Sequence, residues 1–344
     1  MRSSAAMKTW RRLSVYGTAE FPGDHDMNTT KRRAILAALL ASPALAAGAQ
    51  TARPIRFIVP FPPGGTADLL ARLAAREMEN RLGAPVVVEN RAGAGGVVGS
   101  DSVAKSPGDG TTILLSNIAS QGIAPAILPS MPYDVLRDFT HIGLLAAVPS
   151  AIAVSATDPW QTLPALIAAA RDKPGSIRFG SNGNGTSSHA KLEILKRLAG
   201  VDITHVPYRG AAPAATDVIA GNIDGLIAAI PDVGRNERLR LLAMTTPERL
   251  PRWPEVPSVA ELGLGQLVAA NWFGISGPAG IPAPVADRLN AALVESLAAP
   301  AITERLVELG AAPNRLDRAA FTALVEADMK RWAQIVRDAG IKAD

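Results

Sequence analysis

The sequence predicts an α/β protein of two lobes, each a mostly parallel sheet flanked by helices. Three observations lead there. At 344 residues the chain has room for two domains of ordinary size. From residue 54 onward, short β-branched runs alternate with longer amphipathic ones, the pattern of βαβ units. Two extended, apolar, single segments, around 146–155 and 268–277, stand outside that alternation and read as crossovers between lobes. The composition agrees: 48% hydrophobic residues can fill large cores, and disorder is excluded.

In the first lobe, 55–59 is a strand. Residues 68–81 form a helix with Leu69, Leu70, Leu73, Ala74 and Met78 on one face. A strand at 85–89, a helix at 96–105 and a strand at 111–116 follow. The second series runs strand 152–154, helix 163–171, strand 177–180, helix 188–198 and strand 203–206. Helix 213–220 and strands 223–230 and 239–245 complete it. Three helical segments close the chain, at 284–298, 301–309 and 317–338, the last burying Phe321, Leu324, Val325, Trp332, Ile335 and Val336. Each strand that opens into a helix leaves a loop at the carboxyl edge of its sheet, where open α/β folds bind ligands.

The front of the chain explains its charge. Lys31-Arg32-Arg33, the apolar run 34–45 and Ala44-Leu45-Ala46 follow the order of a secretory signal peptide. The run is too short to span a membrane, which takes about 20 residues. Residues 1–26 carry Glu20, Asp24 and Asp26 where an export signal is basic, so 1–26 reads as an upstream extension and 27–46 as the signal, cleaved near Ala46. The general secretory and twin-arginine routes both fit. The formal charge is +4. Seven of the 35 Lys+Arg and three of the 31 Asp+Glu precede Ala47, which leaves 28 of each. A neutral mature chain removes the electrostatic case for nucleic acid. With no cysteine there is no disulfide framework, thiolate metal centre or cysteine nucleophile.

Two strand-to-helix loops carry the strongest local signals. In Phe61-Pro62-Pro63-Gly64-Gly65-Thr66-Ala67-Asp68, prolines hold the approach extended, glycines admit a ligand close to the backbone, and Thr66 or Asp68 can cap the helix. Gly180-Ser181-Asn182-Gly183-Asn184-Gly185-Thr186-Ser187-Ser188-His189 is its counterpart in the other lobe, rich in short hydrogen-bonding side chains. Helix starts of this kind suit an anion. Residues 90–96, Ser116-Asn117 and 208–213, which include Tyr208, occupy comparable strand ends and are candidates for the cleft wall.

Catalytic signatures are scarce. His141, His189 and His205 lack metal-ligand spacing, and Gly-x-Ser-x-Gly and the nucleotide-binding Gly-x-x-x-x-Gly-Lys-[Ser/Thr] are absent. In the run Gly93-Ala94-Gly95 the third glycine of a dinucleotide fingerprint falls one place late, at Gly99. An exported hydrolase using Ser187 or Ser188 with His189 is a rival reading, although neighbours at a helix start do not face each other. No metal and no cofactor is expected.

Five segments in order, Pro-Ile-Arg-Phe-Ile-Val-Pro-Phe-Pro-Pro-Gly-Gly-Thr-Ala-Asp (54–68), Val-Val-Val-Glu-Asn-Arg-Ala-Gly-Ala-Gly-Gly (86–96), Ser-Asn-Gly-Asn-Gly-Thr-Ser-Ser-His (181–189), His-Val-Pro-Tyr-Arg-Gly (205–210) and Asn-Trp-Phe-Gly (271–274), resemble the substrate-binding proteins of tripartite tricarboxylate transporters, the Bug family. The resemblance covers about residues 52–344. It implies a periplasmic binding protein of the two-lobed, type II-like kind, with lobe 1 formed by 47–152 plus 270–344 and lobe 2 by 153–269. Such a protein closes over a small organic carboxylate and delivers it to membrane transporter subunits; a sensor feeding a signalling system would share the module. Carried over, the ligand-binding positions are Gly64, Gly65, Thr66 and Asp68 on one lobe and Ser181, Asn182, Gly183, Gly185, Thr186, Ser187 and His189 on the other. A monomer is expected.

The chain departs from the family where many relatives carry a polar segment. Here Leu226-Ile227-Ala228-Ala229-Ile230 is apolar and the turn at 232–237 is short. An acidic contact to a ligand ammonium is therefore expected to be missing, which points to a carboxylate without an α-amino group and with an apolar or aromatic body.

Overall fold

Residues 53–313 and 315–339 are described by the structure, a computed structural model. The expected upstream extension (1–26) and signal peptide (27–46) lie outside the described residues. Ile55–Val59 (β1) is buried at four of its five positions, as a strand covered on both faces must be. Thr66–Leu82 (α1) follows, then Val86–Asn90 (β2), Val97–Ala104 (α2) and Thr112–Asn117 (β3). Helix α1 buries Leu70, Ala71, Ala74, Ala75, Met78 and Leu82, while Leu69 and Leu73 sit half-buried at the edge of that stripe. It stops at Gly83, whose φ of 61° is the left-handed conformation of a helix end. A π-turn at Ala119–Ile123 and the short helix Ala124–Ile127 (α3) lead to Phe139–Val148 (β4).

The chain then passes through Pro149 into Ser150–Ser155 (β5), the start of a second sheet. Leu163–Asp172 (α4), Arg178–Ser181 (β6), Ser187–Ala199 (α5), Thr204–Pro207 (β7), Ala211–Ala220 (α6), Gly225–Ala229 (β8), Ile230–Val233 (α7) and Leu239–Met244 (β9) complete that half. Asn271–Pro278 (β10) returns to the first sheet, followed by Ala283–Ala298 (α8), Pro300–Glu308 (α9), Ala312–Pro313 (β11) and Arg318–Ala339 (α10).

The six-stranded sheet has the order β11-β4-β10-β3-β1-β2 and the five-stranded sheet β7-β6-β8-β5-β9. Both are mixed where mostly parallel sheets are expected. β1 pairs in parallel with β2 and β3, and β6 with β7 and β8, as βαβ units require. The crossover strands supply the antiparallel part. β10 lies between β3 and β4, and β5 between β8 and β9. A strand that arrives from the other sheet is free of the helical crossover that enforces parallel pairing, so it can enter in either direction. The lobe boundary expected at residue 152 falls inside β5; the change of sheet occurs at Pro149, whose missing N–H suits a break between strands.

Helix α10 packs on β4, the π-turn and α3 of the first half and on α5 of the second. Trp332 and Phe321 are fully buried there, in a core that also contains Trp272 of β10 and Leu192 of α5. Among the described residues no helix is long and apolar enough to cross a membrane.

Candidate ligand-binding cleft

The carboxyl ends of β1, β3, β6, β7 and β8 converge on one cavity of about 140 Å³ between the two sheets. Its wall is mostly apolar, with Phe61, Pro62, Ile118, Ala211, Ala229 and Phe273 among its residues, and its polar groups come chiefly from three helix starts, those of α1, α5 and α6. The first turn of each helix carries backbone N–H groups that the helix itself leaves unpaired. Pointed at one cavity, they add partial positive charge to a wall that also carries Arg209 and Asp232.

On the α1 side the loop Pro60–Gly65 is fixed from behind by Asp68. Its carboxylate accepts hydrogen bonds from the Gly64 N–H (3.0 Å), Arg72 Nε (2.9 Å) and Asn90 Nδ2 (3.0 Å). Burial acts to raise the Asp68 pKa, but the bonds from Arg72, Gly64 and Asn90 outweigh it and hold the group below its ordinary value. Gly65 is the N-cap and makes no side-chain bond, which leaves the first N–H of the helix, that of Thr66, to a partner from elsewhere in the chain. Gly64, at φ 85°, supplies the left-handed turn.

On the other side, Ser181 at the end of β6 bonds His205 Nε2 at 2.6 Å, and the His205 and His189 rings stack with centroids 4.2 Å apart. His189 Nδ1 accepts the Gly185 N–H at 3.3 Å. Thr186 Oγ1 donates to the Gly183 carbonyl, and Ser188 Oγ accepts the Asn182 N–H at 2.9 Å. These bonds brace the loop and aim Asn182, Thr186 and Ser187 into the cavity. The lobes come close at Gly95, where a Cβ would stand 3.1 Å from the Asn184 carbonyl oxygen.

Beneath the cavity floor the two crossovers meet. Asn271, the first residue of β10, donates through Nδ2 to the Val148 carbonyl and to Ser150 Oγ, both at 3.0 Å. Its Oδ1 accepts from Ser187 Oγ and from Lys191 Nζ (3.0 Å). Lys191 also donates to Ser150 Oγ at 2.8 Å and is fully buried. Burial pulls its pKa down to about 7, with Arg331 adding to the fall and Asp328 opposing it. Ser150, Ser187 and Asn271 line the cavity, so the buried amine lies directly behind two of its polar groups, Ser150 and Asn271.

Asp232, on α7, enters the cavity from the second half and reaches the start of α1. Its Oδ1 accepts the Thr66 N–H at 2.9 Å and Thr66 Oγ1–H at 2.8 Å. Burial raises its pKa against the lowering effect of those two bonds. The acidic group expected to be missing from this region is therefore present. It comes from the short turn itself, which folds as one turn of helix and turns its carboxyl into the cleft.

Of the residues singled out from the sequence, the structure brings Gly65, Thr66, Asn117, Asn182, Thr186 and Ser187 to the cavity wall. Gly64, Asp68, Ser181, Gly183, Gly185 and His189 stand behind it and shape the loops. Ser116 is wholly buried in β3, accepting from Ser276 Oγ at 2.9 Å. Tyr208 donates its hydroxyl to Asp217 at 2.7 Å and borders a separate groove that Asn182, Gly183 and Asn184 also line. Asp68 leaves the wall because its i+4 neighbour is an arginine, which takes the carboxylate away from the helix axis. Ser150, Asn271, Asp232 and Lys191 were missed as site residues. Asn271 opens one of the five family-like segments, which was a usable signal; the others carry none in their local sequence.

Residues 70–341 match the family model described as tripartite tricarboxylate transporter family receptor. Protein BugT of Bordetella pertussis is 37% identical over 325 residues, covering 92% of this chain and 99% of BugT. Among solved structures, R. palustris Rpa4515 with adipate superposes with a TM-score of 0.82 at 32% identity, over 85% of this chain and 99% of that one. Periplasmic binding protein BugD gives a TM-score of 0.81 at 32% identity, over 85% and 99%.

Proposed function

The chain belongs to the tripartite tricarboxylate transporter receptor family, whose members are solute-binding proteins, and on that footing we propose that it captures a small organic carboxylate with an apolar body and hands it to the membrane subunits of such a transporter. What supports this reading is the cavity. Three helix starts face it, an ammonium stands behind its floor, and the rest of its wall is hydrocarbon. A carboxylate satisfies the first two and an apolar body the third.

In this reading Gly65, Thr66, Asn117, Asn182, Thr186 and Ser187 contact the ligand or its waters, while Gly64, Ser181, Gly183 and Gly185 set loop shape. The two halves close over the solute, which strips water and strengthens each polar contact. The protein makes and breaks no bond and needs no cofactor. Ser187 Oγ is spent on Asn271 and Ser188 Oγ accepts the Asn182 N–H, an arrangement that serves positioning. It acts outside the cytoplasm, after removal of residues 27–46, as a monomer.

A thermal-shift screen of the purified protein against mono-, di- and tricarboxylates and aromatic acids, followed by titration calorimetry, tests the reading. A one-to-one complex with a carboxylate is the expected result. Absence of binding by every acid, or ester turnover lost on Ser187→Ala or Ser188→Ala, would replace it with a different function.

A further inference from the structure

Helix α1 starts at the cleft, and its first N–H is already occupied by a carboxylate. That carboxylate belongs to the chain itself. Asp232, 166 residues away in sequence, accepts from both the backbone N–H and the hydroxyl of Thr66 through the same oxygen. The packing is close on this side, since a Cβ on Gly65 would lie 3.9 Å from that oxygen. Cationic groups stand elsewhere around the cavity: Lys191 lies behind Ser150 and Asn271, and Arg209 lines the wall beside the start of α6. The start of α1 is thus an acidic part of a wall that is otherwise largely apolar, with Phe61, Ile118, Ala229 and Phe273 among its residues.

We propose that Asp232 is a specificity-determining residue: by holding the start of α1 with its own carboxylate, it closes that helix start to a ligand carboxylate and leaves the starts of α5 and α6 to it. A ligand whose far end reaches α1 is then uncharged or cationic there, and a monocarboxylate is preferred to the dicarboxylate of the same length. This rests on the carboxylate reading of the same cleft. A dicarboxylate would have to bring its second charge against Asp232 in a site of low polarity, where like charges repel far more than in water. The relative solved with adipate carries a dicarboxylate, so the selection proposed here separates this chain from that protein.

Calorimetric titration of the purified protein with matched pairs tests this: butanoate against succinate, hexanoate against adipate, and benzoate against terephthalate. In the wild-type protein the monoacid of whichever pair binds should be favoured by about tenfold or more. Asp232→Asn, which keeps an acceptor oxygen for Thr66, and Asp232→Ser should each raise the affinity for the diacid relative to that for its matched monoacid by about tenfold or more. Both variants are checked for the wild-type circular dichroism spectrum, and agreement between them guards against a folding artefact. A wild-type protein whose tightest ligand is a diacid overturns the assignment, as does an unchanged monoacid-to-diacid ratio in both variants. Failure of every acid to bind the wild type would instead remove the carboxylate reading on which it rests.

Discussion

Lys191 is the residue with the most at stake in burial. An ammonium removed from water is costly, and here its direct partners are neutral, Ser150 Oγ and Asn271 Oδ1. Its pKa of about 7 lies below the ordinary value near 10.4. Between those values the unfolded chain binds more protons at this site than the folded one, so its contribution to stability rises with pH across that window. Below neutral pH the cost is complete. We expect Lys191→Met to be more stable than wild type at about pH 6 and to lose that advantage by about pH 10 in urea titrations. A carboxylate bound in front of Lys191 favours the protonated amine. At about pH 8, ligand binding should therefore take up a proton, seen as a dependence of the calorimetric enthalpy on buffer ionisation, and Lys191→Met should remove it. Asp68 acts at the same scale without touching the ligand. Its replacement by Ala leaves the Gly64 N–H without its acceptor, and we expect a loss of about 1–3 kcal/mol together with weaker ligand binding, because the loop it braces is part of the wall.

At the scale of the element, β10 ties the site to the core. One end supplies Asn271 to the cavity, and Trp272 Nε1 donates to Asp328 on α10 at 2.7 Å. Two residues further on, Gly274 has no space for a side chain: a Cβ would overlap the Phe321 ring and stand 2.8 Å from the Gly143 carbonyl oxygen. Gly274→Ala should cost about 1–3 kcal/mol in chemical denaturation, and Phe321→Leu in the same chain should recover part of it. The Asn-Trp-Phe-Gly segment thus combines a ligand-side amide, a helix anchor and a close-packing glycine within four residues. Helix α4 shows the simpler case. Thr162 Oγ1 accepts the Ala165 N–H at 3.3 Å, an ordinary cap far from the cleft.

For the whole molecule, the links between the halves include two crossovers, helix α10, the Asp232–Thr66 contact and the Arg235–Glu308 ion pair, and ligand adds to them only when bound. Binding the folded state alone stabilises it by about 2.7 kcal/mol at a hundred times Kd. A cognate monoacid should raise the melting temperature by several degrees, and small-angle scattering should record a smaller radius of gyration with ligand than without. A melting temperature indifferent to saturating ligand would show that the solute does not report on folding.

Much of this was readable one residue after another. The β-branched runs fixed the strands, the Pro-Pro-Gly-Gly-Thr and Ser-Asn-Gly-Asn-Gly-Thr-Ser loops lie where strand ends place them, and the five ordered segments named the family, because strand periodicity and loop chemistry are local properties. Strand β4 was legible only at its end, although the turn that opens it, in which Asp134 accepts the Leu136 and Arg137 N–H groups, lies just before it. The direction of β5 and β10 was not legible at all. A sequence carries no mark of which neighbour a strand will pair with. The same limit separates the loops from the charges around them. That Asp68 turns from the cleft while Asp232 turns into it depends on an arginine one helical turn on in the first case and on packing between distant segments in the second. The sequence determined, by local propensity, that loops suited to an anion would stand at two sheet edges. Only the tertiary structure, by folding Lys191 beneath Ser150 and Asn271 and bringing Asp232 against the start of α1, decided which charged groups stand around that cleft.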